Sequence, residues 1–315
     1  MRKRIAGLLL AALLAFSAAA GAPVTAGAAE TAAAETAAET VSFKKFSAPA
    51  DSETLDLGKT VVKGNEFEDF YAFLAQFPNL KKVDMFASTV REEQVDAMRA
   101  RFPQVEFGWT MKVAGYTVRT DDTSFSTRHG NESTRRGWET YRLLLNCPNL
   151  KALDLGHNDI DDLSFLYELP QLKVLILADN KIRDLTPITC QKELEYIELF
   201  RNEIEDVTPL SELEHVLDLN LVFNYITDLS PLEGMHSLER LWVNHYNHYN
   251  VDVPMDEEML VRLRAALPRT LVDTTAKSPT GNYWRKHPRY DAIARMFRNG
   301  GQYEPFAKSG EAEKP

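Results

Sequence analysis

Apolar side chains recur every 22 residues through the middle of the chain. The copies begin at Leu150, Leu172, Leu194 and Val216, and a fifth starts at Leu238 before the pattern fails. Their common pattern is L-x-x-L-x-L-x-x-N-x-I-x-D-L-[ST]-P-L-x-x-L-x-x, and the seven apolar positions of the four full copies are filled throughout except at Gln191. One copy cannot bury these side chains by itself, so the copies must stack and share a continuous core. The pattern therefore predicts a solenoid with one short strand per copy.

The segments that flank the copies predict longer units of helix, proline-containing turn and strand. Residues 88–110 and 253–275 align with each other in this order, and residues 67–85 repeat it. In the second segment, apolar residues at helical spacing follow Asp256, a residue type that commonly caps a helix N-terminus. These units are suited to closing the two open ends of the stacked core.

Two further elements are predicted ahead of the copies. Residues 105–119 alternate between apolar and polar and contain a turn at Ala114-Gly115, which predicts a β-hairpin. Residues 120–136 are polar and predict a loop.

Two polar positions also recur in every copy. The first is filled by Asn158, Asn180, Asn202 and Asn224, and the second by Asp162, Asp184, Asp206 and Asp228. An amide has both a donor and an acceptor, so we expect the asparagines to form a structural ladder that bonds the backbones of adjacent turns. Each aspartate precedes a serine or threonine by two residues, which favours capping of a turn. Calcium binding is the alternative, but the D-x-[DN]-x-[DN]-G loop is absent.

These copies resemble leucine-rich repeats, in the short Asp-Leu-Ser-Pro-Leu form of the internalins and of the protein-phosphatase regulatory repeats. The order of the parts, ending in SPTGNYWRKHPRY at residues 278–290, also resembles exported leucine-rich repeat proteins of Gram-positive gut bacteria. The resemblance implies an α/β leucine-rich repeat solenoid, a curved horseshoe with a parallel concave sheet and helix-containing caps. It also implies export, and it supplies no catalytic residue.

The N-terminus predicts export on its own evidence. Three basic residues precede an apolar run and the small-residue site Ala26-Gly27-Ala28, which is the pattern of a secretory signal peptide. A retained membrane anchor is the alternative, although the run is short and rich in alanine for a membrane span. We expect no stable span after cleavage and a secreted or extracellular cell-envelope location.

The chain divides into six predicted segments. They are a signal peptide (1–28), a disordered linker (29–50), an N-terminal cap of irregular leucine-rich units with a β-hairpin (51–149), the 22-residue repeats (150–249), a C-terminal helix–strand unit (250–277) and a basic, aromatic tail (278–315). The net charge of −10 becomes −13 without residues 1–28, which removes three basic and no acidic residues. That acidity argues against nucleic acid as a partner.

The two cysteines are expected to be buried free thiols. Cys147 and Cys190 fall about two turns apart in the repeat framework, which is roughly 10 Å at the spacing of stacked strands. A disulfide requires Cα atoms within about 7 Å.

The strand positions that point away from the core predict a ligand-binding concave face. The candidate residues are Val174, Ile176, Tyr196, Glu198, Phe200, Arg201, Asn220, Val222, Phe223, Arg240, Trp242, Asn244 and His245. Many are apolar where the core does not need them, and such patches usually mark contact surfaces. The alternative is that the tail, which is aromatic and basic, covers this face as a cap. The tail could otherwise bind an anionic envelope polymer.

These observations favour a secreted, non-enzymatic protein that binds an unidentified protein ligand and needs no cofactor. Carbohydrate or cell-wall polymer binding through Trp242, Tyr246, Tyr249 and the basic tail is a second hypothesis, and a secreted hydrolase is a third. No G-x-S-x-G, H-E-x-x-H or glycine-rich phosphate motif is present in the sequence. In the stretch NHYNHYN at 244–250, His245 and His248 could bind a metal ion. Their spacing of three gives no shared helical face at the end of a strand, and no third ligand is evident in the sequence. We interpret it as the end of the repeats.

Overall fold

The computed structural model describes residues 39–127, 135–169, 171–244, 246–247, 249, 251–253, 255–298 and 302–306. The predicted signal peptide and the first part of the predicted linker lie outside these residues.

The N-terminal part of the described chain forms two small sheets with two helices. Its elements are β1 (Thr40–Phe43), β2 (Phe46–Pro49), β3 (Thr54–Asp56), α1 (Phe67–Leu74), β4 (Lys82–Thr89), α2 (Glu92–Arg101), β5 (Glu106–Val113) and β6 (Tyr116–Arg119). Strands β1 and β2 pair antiparallel, β3, β4 and β5 pair in parallel, and β6 returns antiparallel to β5. The predicted helix–turn–strand order and the hairpin at Ala114-Gly115 are confirmed, with both turn residues at positive φ.

The linker prediction is wrong for residues 40–49. Val41 and Phe43 of β1 are buried, and the Phe43 ring centroid lies 5.4 Å from that of Phe70 on α1. Residues with a period of two share one face of a strand, so these two side chains both face the core on which the β1–β2 hairpin packs. The alanine-rich composition of the preceding residues obscured this short signal.

A seven-stranded parallel sheet forms the rest of the frame. Its strands are β7 (Ser124–Ser126), β8 (Ala152–Asp154), β9 (Val174–Ile176), β10 (Tyr196–Glu198), β11 (Asp218–Asn220), β12 (Arg240–Trp242) and β13 (Leu271–Asp273), in sequence order across the sheet. Pairing follows the repeat, since Val174 lies opposite Tyr196 and Tyr196 opposite Asp218. The loop prediction for 120–136 is wrong at β7, where Phe125, the one apolar residue of the strand, is buried.

The predicted inward positions form one continuous hydrophobic core behind this sheet. The single exception to the apolar pattern, Gln191, is also fully buried and meets backbone groups instead. Its Nε2 donates to the carbonyl of Leu166 at 2.7 Å, and its Oε1 accepts from the N–H of Leu172 at 3.3 Å. The polar side chain is therefore satisfied within the core.

The recurring asparagines bond successive turns together. Nδ2 of Asn202 donates to the carbonyls of Leu177 and Leu199, at 2.9 and 3.0 Å, while its Oδ1 accepts from the N–H of Ile182 at 3.1 Å. Asn180 and Asn224 make the equivalent contacts one turn earlier and one turn later. Each amide therefore satisfies backbone groups of two turns, and no part of it is left for a ligand.

The recurring aspartates cap the convex side. Oδ1 of Asp162, Asp184, Asp206 and Asp228 each accepts at 2.8 Å from the N–H two residues later. A short 3₁₀ turn follows each one, at Ser164–Glu168, Thr186–Cys190, Thr208–Glu212 and Ser230–Gly234. A 3₁₀ turn of this length returns the chain to the next strand over the core.

Both cysteines are free thiols. Cys147 is buried as expected, and burial raises the pKa of its thiol to about 12. Cys190 is partly exposed, contrary to the prediction, because it sits one residue before the inward position that Gln191 fills.

Helices α3 (Glu257–Ala266) and α4 (Pro288–Arg298) complete the structure. Asp256 caps α3 as predicted, with its Oδ1 accepting from the N–H of Glu258 at 2.9 Å. Residues 276–298 and 302–306, which we call the C-terminal strap, run from the last strand of the sheet back to the first. Near β13, Nδ2 of Asn282 donates to Oδ2 of Asp273 at 2.7 Å. Beside β7, the N–H of Tyr303 donates to Oγ1 of Thr123 at 2.6 Å.

None of the helices formed by the described residues is long and apolar enough to cross a membrane.

Replacing Asn202 with alanine should lower the free energy of unfolding by roughly 3 kcal/mol, because it strands buried backbone donors and acceptors of two turns. Chemical denaturation monitored by circular dichroism measures the change. Thr189→Ala, which removes only an exposed hydroxyl bonded to the carbonyl of Thr186, is the control and should stay within about 0.5 kcal/mol. Equal losses in the two variants would contradict a structural role for the amide.

Candidate functional site

The C-terminal strap covers most of the predicted ligand-binding face. The buried candidates are Val174, Ile176, Tyr196, Glu198, Phe200, Asn220, Val222, Phe223, Arg240, Trp242 and Asn244. Arg201 is exposed, and His245 lies outside the described residues. The expectation that these residues form one open surface is therefore wrong, because the apolar ones pack against strap residues in a second hydrophobic cluster. The alternative, a tail that caps the face, is the arrangement found.

Trp284 of the strap fills the middle of the concave face. It is fully buried, and its ring centroid lies 5.1 Å from that of Trp242 and 5.7 Å from that of Tyr196. The Arg240 guanidinium stacks over the ring at 4.4 Å, which adds a cation–π contact. Indole Nε1–H donates to Oε1 of Glu198 at 2.7 Å. The aromatic residues that suggested a ligand surface thus receive a side chain of the same chain.

A buried ion pair holds the strap beside Trp284. The Asp218 carboxylate, which is 0% exposed, accepts from Nε and Nη2 of Arg240 at 2.8 and 2.6 Å. It also accepts from Nε and Nη2 of Arg289 at 2.7 and 2.6 Å, and Nη1 of Arg289 reaches Glu239 at 2.7 Å. Although burial opposes the charge, hydrogen bonds and attraction from both guanidiniums keep the pKa of Asp218 below its usual value. Two bidentate arginines on one carboxylate give a fixed geometry.

Amide groups on the sheet extend the docking along the strap. Nδ2 of Asn220 donates to the carbonyl of Pro279 at 2.8 Å, and Nδ2 of Asn244 donates to that of Ala276 at 3.2 Å. Polar residues at outward strand positions therefore donate hydrogen bonds to carbonyl groups of the strap. The sequence held one signal of this docking. Acidic and amide residues alternate with aromatic residues on the sheet, and basic residues alternate with aromatic residues in the tail, so the two patterns are complementary.

One part of the concave face stays open. A cavity of about 560 Å³ lies between the β5–β6 turn, the ends of β8 to β10, and α4. Its wall includes Tyr116 and Tyr141 from the N-terminal side, Ile176 and Phe200 from the sheet side, and Tyr290 from the strap. Its volume is within the range of small-molecule and side-chain pockets.

Acidic side chains lie in the wall and arginines are more exposed. Asp154 and Glu198 are 6% and 3% exposed, whereas Arg285 is exposed and Arg136 half-exposed. Oδ2 of Asp154 accepts from Oγ of Ser126 at 2.8 Å, so this carboxylate is already bound by the fold. Among the described residues, neither arginine side chain forms an ion pair or a hydrogen bond.

Glu198 has an uneven environment. Its Oε1 accepts from both Tyr196 Oη and Trp284 Nε1, while its hydrogen bonds within the described chain include none to Oε2. The carboxylate also lines the cavity. Desolvation is the largest influence on its pKa, which is raised despite the two hydrogen bonds, and nearby Asp154 raises it further while Arg285 opposes this. The fold therefore holds a carboxyl whose charge is incompletely compensated.

A row of residues with a left-handed backbone conformation follows the concave strands; we call it the rim, and its first member, His157, lines the cavity. His157, Asp179, Arg201 and Phe223 occupy equivalent positions of successive repeats, with φ of 60°, 56°, 55° and 62°. Oδ2 of Asp179 lies 2.8 Å from Nδ1 of His157, and Arg201 lies 5.6 Å from the Phe223 ring centroid. The hydrogen bond from His157 lowers the pKa of Asp179. Non-glycine residues pay for this backbone conformation, which the sequence pattern did not reveal.

The described residues of the stretch NHYNHYN follow the last repeat strand and form local contacts. Oδ1 of Asn247 accepts from the N–H groups of Tyr249 and Val251, at 2.9 and 3.1 Å, and Tyr246 forms a bridge with Asp252. Tyr246 and Tyr249 are exposed, whereas Trp242 is buried away from them, so the three do not form one stacking surface. His245 and His248, the predicted metal alternative, lie outside the described residues.

Comparison with known families identifies the repeats. The model for "Leucine Rich repeats (2 copies)" matches residues 170–212, and that for "Leucine Rich repeat" matches residues 146–163. The chain contains leucine-rich repeats. The seven-stranded parallel sheet and the inward leucines are what that family's α/β solenoid requires. No curated protein matches the chain.

Several solved structures are similar to this leucine-rich repeat protein. An internalin C2 from Listeria monocytogenes shares 18% identity over 73% of this chain and 76% of that one, with a TM-score of 0.33. A leucine-rich repeat protein of Leptospira interrogans shares 15% over 64% and 74%, with a TM-score of 0.34. The ectodomain of a plant receptor kinase from Arabidopsis thaliana, in complex with Casparian strip integrity factor 2, shares 16% over 61% and 23%, with a TM-score of 0.35.

Replacing Arg289 with leucine should release the strap, because it removes half of the countercharge from buried Asp218. We expect a loss of about 3 kcal/mol in unfolding free energy and faster tryptic cleavage within residues 278–298. Arg295→Leu removes an exposed arginine from the same helix and is the control. If both variants resist trypsin like the unmodified protein, the ion pair is not what holds the strap.

Replacing Glu198 with glutamine should stabilise the protein at neutral pH. The pKa of Glu198 is raised in the folded protein. Below the usual glutamate pKa the side chain is neutral and its burial costs nothing extra. As the pH rises through the folded pKa the buried carboxyl becomes charged, and the unmodified protein loses stability relative to the variant. The variant keeps the Oε1 acceptor without the buried charge. Urea unfolding should therefore give equal midpoints near pH 4 and a higher midpoint for Glu198→Gln at pH 7. Exposed Glu214→Gln is the control, and a variant that is less stable at pH 7 would refute the argument.

Proposed function

We propose that this leucine-rich repeat protein is an exported, non-enzymatic binding protein that holds a protein ligand at the cavity between its concave sheet, the β5–β6 turn and α4. The observation that carries the proposal is the cavity itself, an open part of a face that is otherwise filled by the strap. Concave surfaces are the binding surfaces of solenoid proteins. The basic and apolar pattern of residues 1–28 supports export.

The rim beside the cavity supports contact with a protein. His157 and Arg201 are exposed charged or titratable side chains at the ends of neighbouring strands, while the wall below offers apolar Ile176 and Phe200. A polar rim around an apolar centre is typical of protein interfaces. The strained backbone of the rim residues is also more common at functional positions than elsewhere.

The geometry supports polymer binding less well. Sugar stacking would need the Trp242 ring, which is buried against Trp284, and Arg289 of the strap is already bound at Asp218 and Glu239. Tyr246 and Tyr249 are the exposed remainder of that candidate surface.

Photo-crosslinking tests the proposal. A benzoylphenylalanine placed at His157 or Arg201 should capture the same surface protein when the mature chain is added to cells, because His157 lines the cavity and Arg201 directly follows Phe200, which lines it. The same group at Val261, which is 65% exposed on α3, is the control and should not capture it. Crosslinks to cell-wall material alone, or equal capture from position 261, would count against a protein ligand at this face.

A further inference from the structure

Glu198 is a buried carboxylate with one oxygen open to the cavity. It is 3% exposed, its Oε1 is occupied by the Tyr196 hydroxyl and the Trp284 indole, and its Oε2 has no hydrogen-bond partner among the described residues. Oε2 is also not enclosed, because the unpartnered buried polar atoms of the described chain include none from Glu198. A carboxylate held in this way offers its free oxygen to whatever enters the cavity.

The packing of the strap does not require a carboxylate at position 198. A buried charge without full compensation lowers stability, and glutamine would keep the bonds from Tyr196 and Trp284 without that cost. Strand position 198 therefore carries a charge that the docking of the strap does not need. The chemistry that a free carboxylate oxygen recognises best is a cation with N–H donors, either an ammonium or a guanidinium.

The rest of the molecule is consistent with a cationic group in this cavity. The chain has a net charge of −10, which attracts basic ligands at long range. Asp154 lies near enough to raise the pKa of Glu198, so the wall presents two acids. The apolar side chains of Ile176 and Phe200 beside them suit the methylene stem of a lysine or arginine.

Two arginines in the cavity wall also carry positive charge. Arg285 lies in the strap, with its guanidinium 5.6 Å from the Tyr290 ring centroid, and Arg136 lies ahead of the first repeat. Both are more exposed than the acids, and among the described residues neither side chain forms an ion pair or a hydrogen bond. Charges at these positions would repel a ligand that is only basic. They would attract a carboxylate held a short distance from the cation.

We infer that the cavity is a recognition site for a dipolar segment of a protein ligand, with a lysine or arginine side chain bound at Glu198 and a neighbouring aspartate or glutamate bound at Arg285 and Arg136. The inference rests on the proposed function for the existence of a protein ligand, and it adds the chemistry that selects it. A polyanion would meet the arginines but not the acids, so it would not require Glu198.

Binding of three synthetic peptides tests the site on the mature protein. The probes are acetyl-Lys-Gly-Asp-amide, its norleucine analogue in place of lysine, and its asparagine analogue in place of aspartate, each followed by saturation-transfer NMR. The parent peptide should bind at least about tenfold more tightly than either analogue, since each analogue removes one charge-assisted contact. Equal binding of all three peptides, or no binding of the parent, would overturn the inference.

Matched variants assign each contact. Glu198→Gln should weaken the parent peptide about tenfold and leave the norleucine analogue unchanged, and Arg285→Gln should weaken the parent and leave the asparagine analogue unchanged. Lys286→Gln removes a positive charge next to Arg285 but outside the cavity wall, and should change neither. If Glu198→Gln weakens the norleucine analogue equally, or if short poly(glycerol phosphate) binds and only the arginine variant loses it, the dipolar assignment is wrong.

The two tests fail independently. A protein crosslinked from positions 157 and 201, together with peptides that show no charge preference, would leave the binding protein and remove the dipolar site. Peptide binding that depends on Glu198 is informative even before the natural ligand is known, because it reports on the cavity alone.

Discussion

The concave side of this molecule depends on one carboxylate. Asp218 lies on the concave side of the parallel sheet, away from the leucine core, and is fully buried in ion pairs with Arg240 and Arg289. An isolated charge at that depth would cost several kcal/mol. The buried carboxylate therefore needs Arg289, and the strap that carries Arg289 needs the carboxylate in turn. Trp284 and helix α4 belong to the same strap, and the amides of Asn220 and Asn244 on the sheet bond its backbone.

The result is a sheet with a core on both faces. Leucines fill the convex side, as in any stack of such repeats, while aromatic and aliphatic residues of the strap fill most of the concave side. Strands covered on both faces are expected to be apolar at successive positions, which is what Val174 and Ile176 show on either side of Leu175. The open cavity is then the part of a larger groove that the strap leaves uncovered. Its acids and arginines face this open space, whereas the neighbouring residues pack against the strap.

Much of this could be predicted from the sequence, and the limits have physical causes. The period of 22 fixes which residues face the core, so the buried leucines, the asparagine bonds and the aspartate caps follow from local rules. The pairing of Asp218 with Arg289 joins residues 71 positions apart, and no periodicity connects them. The hairpin at 40–49 and strand β7 were missed because each depends on one or two apolar residues that matter only once a partner surface exists. The cavity could not be predicted because it is defined by what the strap leaves uncovered.

The strap joins the two ends of the sheet, with Asn282 bonded beside β13 and Tyr303 bonded beside β7. Solenoids with free ends evolve readily by duplication or loss of single repeats, since each new unit touches only its neighbours. Here an inserted repeat would move the end strands apart by about 4.8 Å. The strap, which has a fixed number of residues, would then be too short to reach both ends. The number of repeats is therefore locked to the length of the C-terminus, and homologues with a different count are expected to differ in both regions together.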